Sequence, residues 1–226
     1  DTATGFGGAI VLREFLEVGG RKPEARSLRV AIQGFGAVGS AIARILHADG
    51  YRVVALSDSK GAVYDPDGID VDEAIRAREE CGLAGQRPCS LEEASSGRHK
   101  IISNAELLEL EVDVLIPAAL ESVITAENAG RIKAKVVLEM ANGPITPEAE
   151  AVLAKRGVTV IPDILANSGG VVGSYFEWVQ GLNRLWWEED EVLGRIERIM
   201  VKSFRAVVRE HSEGGGPDLF NIHVTY

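Results

Sequence analysis

The feature that most constrains this chain is a sustained alternation of two kinds of segment. Short apolar runs of strand length are followed repeatedly by stretches whose apolar residues recur at helical spacing. Arg29–Gln33 (RVAIQ) predicts a buried strand and residues 38–49 a helix; residues 52–58 (RVVALSD) predict the next strand and 71–81 the next helix. Further strands are predicted over 112–117, 136–139 and 158–161. A short helix opens at Ser103, which stands in capping-box spacing to Glu106. Another helix is predicted over 125–132 with Thr125 as N-cap, and a third from Thr146-Pro147-Glu148 to Arg156. The strands are apolar in runs rather than in alternation, which suits burial on both faces. The expected fold is α/β: a doubly wound Rossmann-type parallel sheet with helices on both faces, plus C-terminal helices.

The 226 residues suffice for one domain. Its core is expected at about 27–167, flanked by helices over 3–18 and 169–211. Within the second flank, 171–187 reads as helical, and a long last helix stops at the glycine run 214–216. Tyr175, Phe176 and Trp178 are expected in the core. The tail 218–226 has no reading. A net charge of −10 disfavours a nucleic-acid partner, because no dense basic cluster offsets it. No apolar stretch is long enough to span a bilayer and no secretory leader opens the chain, so a cytoplasmic location is expected. Cys81 and Cys89 match no zinc spacing and are read as reduced thiols, with a disulfide left open.

Between the first predicted strand and its helix lies Gly34-Phe35-Gly36-Ala37-Val38-Gly39, with the spacing Gly-x-Gly-x-x-Gly. The pattern is weak alone and gains specificity from the strand before it and the helix after it. Gly34 would permit the tight turn, Gly36 the close approach of a diphosphate, and Gly39 the packing of helix on strand. The next strand ends in Asp58, an acid placed to hold ribose hydroxyls or to serve as a turn residue. Ser59 and Lys60 follow it and could receive a 2′-phosphate, so both NAD and NADP stay open.

Several longer stretches are more specific. They are Ala3-Thr4-Gly5-Phe6-Gly7, Leu56-Ser57-Asp58-Ser59-Lys60-Gly61, Leu115-Ile116-Pro117-Ala118-Ala119-Leu120-Glu121, and Glu139-Met140-Ala141-Asn142-Gly143-Pro144. Another is Ile161-Pro162-Asp163-Ile164-Leu165-Ala166-Asn167, continuing through Gly169-Gly170 to Ser174-Tyr175-Phe176-Glu177-Trp178. Together with the glycine turn they resemble the C-terminal coenzyme-binding domain of the glutamate dehydrogenase family, over almost the whole chain. The resemblance implies a nicotinamide contact at Thr4 and a diphosphate site over Gly34 to Val38. It implies ribose-region contacts at Ala118 and Ala119, and contacts near the nicotinamide ribose at Asn142 and Asn167. Ser174 would bind the side-chain carboxylate of glutamate.

The departures from the family matter as much. The family's preceding domain, with its catalytic lysine and aspartate, has no counterpart here, and the family's final helix is not recognised. At Gly8, Ser122, Ser168 and Gly173 the family usually has bulkier residues, asparagine or alanine. The chain is therefore expected to bind NAD or NADP, to contain no catalytic residue, and to be inactive alone. In the full-length enzyme, expected to be a homo-oligomer, the reaction would be oxidative deamination of L-glutamate to 2-oxoglutarate and ammonia. The alternatives are a stand-alone dinucleotide-binding module and another amino-acid dehydrogenase.

Overall fold

A computed structural model describes residues 2–18, 28–85 and 89–213, with side chains as far as residue 210. Seven strands form one sheet: β1 (Arg29–Gln33), β2 (Arg52–Ser57), β3 (Ala62–Tyr64), β4 (Lys100–Ile102), β5 (Val114–Pro117), β6 (Val136–Leu138) and β7 (Thr159–Ile161). Their order is β4-β3-β2-β1-β5-β6-β7. From β2 through β1 and β5 to β7 all neighbours are parallel. β3 and β4 extend the β2 edge in antiparallel fashion, so the sheet is mixed rather than purely parallel.

Alternate residues of the central strands feed two separate cores. Val30 and Ile32 of β1, with Val114 and Ile116 of β5, pack on one face. Ala31 and Leu115 lie between them in sequence and point to the other. Both faces are apolar because both are covered, which explains why the strands read as unbroken apolar runs. The first face carries α1 (Thr2–Val18), α2 (Ala37–Ala48), α7 (Asp163–Ala166), α8 (Gly169–Asn183) and α9 (Glu189–Glu213). The second carries α5 (Asn104–Leu108) and α6 (Pro147–Lys155). α3 (Val71–Gly85) and α4 (Leu91–Ser95) cover the β2 side of the first face through Val71 and Leu91. Ile196, Met200 and Phe204 of α9 are fully buried in the first core.

Local signals set several boundaries. Ser103 and Glu106 form a reciprocal capping box at the start of α5, and Ser90 and Glu93 form another before α4. Thr146 caps α6 through the N–H of Ala149, with Pro147 in the first turn. The helix predicted over 125–132 is replaced by a loop with a 3-10 turn at Ala129–Arg131. There Asn128 Oδ1 accepts the N–H of Thr125 and its amide donates to Val123, so side-chain bonds join the backbone bonds of Asn128 and Ala129 to Thr125 O in closing a single turn that does not continue. Phe176 is buried as expected, but Tyr175 and Trp178 are 54% and 61% exposed and lie outside the core. No described helix is long and apolar enough to cross a membrane. The glycine run 214–216 and the tail 218–226 lie outside the described residues.

Candidate functional site

β1 occupies the middle of the sheet, with β2 on one side and β5 on the other. The winding direction reverses here, and open α/β sheets place ligands at the carboxyl ends of strands at such a point. The glycine turn starts from that position. Gly34 adopts φ +100, a left-handed conformation, and a Cβ there would come within 2.6 Å of the Ala119 side chain. A Cβ on Gly39 would collide with the carbonyl oxygen of Gly34, so this glycine lets α2 seat on the turn. The two outer glycines are therefore demanded by packing.

Gly36 differs. Its φ is −85, which any residue can adopt, and nothing lies within 4 Å of where its Cβ would be. The fold alone gives no reason for a glycine here, whereas an approaching ligand does. Gly36 is also the N-cap of α2 and offers no side-chain cap. The first helical bond runs from Ser40 N–H to Gly36 O, which leaves the amides of Ala37, Val38 and Gly39 ahead of it. A helix N-terminus of this kind is a donor set for an anion. The turn is fixed from below by Ser57, fully buried at the end of β2, whose Oγ accepts the N–H of Gly34 at 3.1 Å. Sequence reasoning passed over Ser57; a hydroxyl closing an apolar strand was the available signal.

Asp58 follows Ser57 and is half-buried. One carboxylate oxygen accepts the N–H of Lys60 at 2.8 Å and the other that of Leu91 at 2.7 Å. The acid thus closes its own turn and anchors the start of α4. Ser59 and Lys60 are exposed beside it. A cleft of about 730 Å³ opens between Gly36, Ala37 and Ser40 on one side and Ile75, Arg78 and Cys89 on the other. Arg78 crosses it: Nε donates to the carbonyl of Cys89 at 2.9 Å, and a second nitrogen donates to the carbonyl of Phe35. Cys81 and Cys89 are joined by a disulfide, with Cα atoms 5.8 Å apart, which corrects the reading of reduced thiols. α3 runs past Cys81 to Gly85, beyond its expected end, and Cys89 lies beside it just before α4.

The remaining predicted residues gather on the other side of the turn. Ala118 follows β5 and its N–H donates to Gln33 O at 2.7 Å; Ala119 beside it is exposed. Asn167 donates its side-chain amide to Asn142 Oδ1 at 2.8 Å, so the two asparagines meet across twenty-five residues of sequence. Gly170 N–H bonds Asn167 O, and a Cβ on Gly170 would strike the Thr4 hydroxyl. Thr4 therefore belongs to this cluster, and it stands inside α1 rather than at its cap. Ser174 is exposed one turn farther along α8. A Cβ on Gly173 would come within 2.9 Å of Ala3, so glycine allows α8 to sit close against α1 there.

Two acids to which sequence reasoning assigned no separate role lie beside the asparagines. Asp163 accepts the N–H of Gly143 at 2.8 Å, and Glu139 accepts the N–H of Asp163 at 2.9 Å. Burial pushes the Glu139 carboxyl up to about 8, with the neighbouring charges of Asp163 and Glu150 adding and its backbone hydrogen bonds opposing.

Comparison with known proteins gives a consistent picture. The sequence model of the Glutamate/Leucine/Phenylalanine/Valine dehydrogenase family matches residues 1–222. The chain is 46% identical over 210 residues to a glutamate dehydrogenase of Thermotoga maritima, covering 92% of this chain and 48% of that protein. It is 45% identical over 202 residues to an NADP-specific glutamate dehydrogenase of Synechocystis, covering 89% of this chain and 47% of the relative. It is 41% identical over 207 residues to a cryptic catabolic NAD-specific glutamate dehydrogenase of Bacillus subtilis, covering 92% and 46%. The chain thus spans about half the length of the curated relatives it matches. Among solved structures, a hetero-hexameric glutamate dehydrogenase of Thermus thermophilus superposes with a TM-score of 0.83 at 36% identity, covering 97% of this chain and 49% of that one.

Proposed function

The chain belongs to the Glutamate/Leucine/Phenylalanine/Valine dehydrogenase family, and from that premise we propose that it is the coenzyme-binding portion of a cytoplasmic, oligomeric, NAD- or NADP-dependent glutamate dehydrogenase. The observation that carries this reading is Gly36: an exposed glycine with open space around it, at an uncapped helix N-terminus, at the sheet's switch point. A diphosphate fits that place in both charge and room. The amides of Ala37 and Val38 would hold it, with Phe35 and Gly39 shaping the turn. Asp58 would meet the adenosine ribose with whatever acceptor capacity its two backbone bonds leave, and Ser59 stands beside it.

The bound nicotinamide supplies the acceptor for the hydride that leaves the alpha carbon of glutamate. What this chain does is hold and orient. Ala118 and Ala119 keep the strand end low, so the coenzyme can cross from the diphosphate site toward Asn142 and Asn167. Those asparagines and Thr4 would orient the nicotinamide end, and Ser174 would hydrogen-bond the substrate side chain. Among the described residues no lysine belongs to this cluster, and in this reading the proton-transfer groups come from the additional length that the relatives carry. The surface supports an outside partner for α8. Val171, Tyr175, Trp178 and Leu182 recur at helical spacing and are 54–74% exposed. An apolar strip of that kind on a water-facing helix marks a face made to be covered.

The reading is tested by calorimetric titration of the chain with NAD and NADP, followed by an assay with glutamate. Binding of at least one dinucleotide without turnover is expected. Clear turnover by the chain alone would contradict the division of labour, and no heat with either dinucleotide would remove the site.

A further inference from the structure

We propose that the Cys81–Cys89 pair is a redox modification site whose oxidation state sets coenzyme affinity, with Arg78 carrying the effect to the glycine turn. The proposal rests on the coenzyme reading above.

The bridge ties the end of α3 to the segment entering α4. Two hydrogen bonds leave that segment for the binding site. The carbonyl of Cys89 accepts from Arg78 Nε at 2.9 Å, and the N–H of Leu91 donates to Asp58 at 2.7 Å. Arg78 continues the first link, since its guanidinium also donates to Phe35 O and lies 5.8 Å from the centre of the Phe35 ring. One covalent bond thus fixes the carbonyl that fixes Arg78, and Arg78 fixes the residue between Gly34 and Gly36. The same segment holds the acid at the end of β2.

On the α4 side the segment is held by buried Leu91 and the Ser90–Glu93 capping box, but on the α3 side the anchoring is light. Of the fifteen residues of α3 only Val71, at its first position, is buried. The far end of the helix is held by the bridge, by Arg78 and by half-buried side chains. As a staple for the whole fold the bridge is poorly placed. It joins residues eight apart, and disulfide stabilisation grows with the length of the loop closed. In the reducing compartment proposed for the enzyme, a disulfide is characteristically transient and redox-sensing.

Access is one-sided. Cys81 is half-buried and Cys89 is 4% exposed, so an incoming thiolate reaches the Cys81 sulfur first. Attack by one thiolate of a dithiol, a small molecule or a dithiol protein, forms a mixed disulfide with Cys81 and expels Cys89 as thiolate, which takes up a proton. The second thiol of the reagent then attacks its own sulfur in the mixed disulfide and releases Cys81. The bridge gains two electrons and becomes two thiols, and the reagent leaves as its own disulfide.

The test is calorimetric titration of the chain with NAD and NADP, oxidised and after treatment with dithiothreitol, with free thiols counted in each sample. Reduction is expected to weaken binding about tenfold, the scale of losing one charge-assisted hydrogen bond, and reoxidation to restore it. The double substitution Cys81→Ser/Cys89→Ser should bind weakly under both conditions. Arg78→Gln, with the bridge intact, should also bind weakly and lose its response to reduction. Thermal denaturation confirms that each variant is folded. Equal affinity before and after complete reduction overturns the switch while leaving the coenzyme site standing. Absence of binding in the oxidised chain overturns the coenzyme site and the switch together.

Discussion

Glu139 accepts a hydrogen bond from the backbone of Asp163 at 2.9 Å, so two acids, each 7% exposed, stand in series beside the asparagine pair. Asp163 continues the series to Gly143, next to Asn142. Burial raises the carboxyl at the base of this series, Glu139, to about 8, well above the ordinary carboxylate range.

The pH dependence follows from the direction of that shift. Glu139 is raised from 4.5 to about 8, so the folded chain keeps a proton that the unfolded chain releases. Its contribution to stability is fully present below pH 4.5 and is lost as pH rises through about 8. Glu139→Gln, which stays neutral, should flatten the fall. Melting temperatures of the two forms across this window check it, and a difference that does not change with pH would contradict it. The effect is on the order of a few kcal/mol.

Asp58 carries two backbone hydrogen bonds as well as its proposed ribose contact. Asp58→Ala should lower stability by about 1–2 kcal/mol, because two N–H groups lose their acceptor. It should also weaken NAD more than NADP, since removing the carboxylate removes a repulsion from the 2′-phosphate. Thermal denaturation and parallel titrations with both dinucleotides measure the two effects separately.

Phe204 is fully buried and helps seat α9 in the core shared with α1. Phe204→Ala should cost about 3–5 kcal/mol. Denaturant unfolding gives the loss.

Much of this was legible in the chain itself. Val30, Ile32, Val114 and Ile116 announced buried parallel strands because burial on both faces removes the polar alternation. The glycine turn was recognisable because packing dictates Gly34 and Gly39 wherever such a helix follows such a strand. β3 and β4 were missed because their antiparallel pairing at the β2 edge is decided by tertiary contacts rather than by local pattern. The helix expected at 125–132 failed because Asn128 offers its own backbone a competing turn. The disulfide was left open and not chosen, because cysteine spacing says nothing of where α3 ends. Glu139 and Asp163 looked like ordinary acids, since only the folded chain brings β6 against α7. Meanwhile Asn142, Asn167 and Thr4, distant in sequence, were singled out by resemblance, and the fold brings them together.

The central claim is that the amides at the start of α2 grip a diphosphate, and Gly36→Val tests it most directly. Nothing lies within 4 Å of where an added Cβ would stand in the free protein, so the chain should stay folded, with a loss of no more than about 1 kcal/mol from the poorer N-cap. A control, Gly39→Ala, should instead destabilise by about 1–3 kcal/mol through its collision with Gly34. In calorimetric titration Gly36→Val should lose NAD and NADP binding while remaining folded. Undiminished binding by that variant would contradict the account.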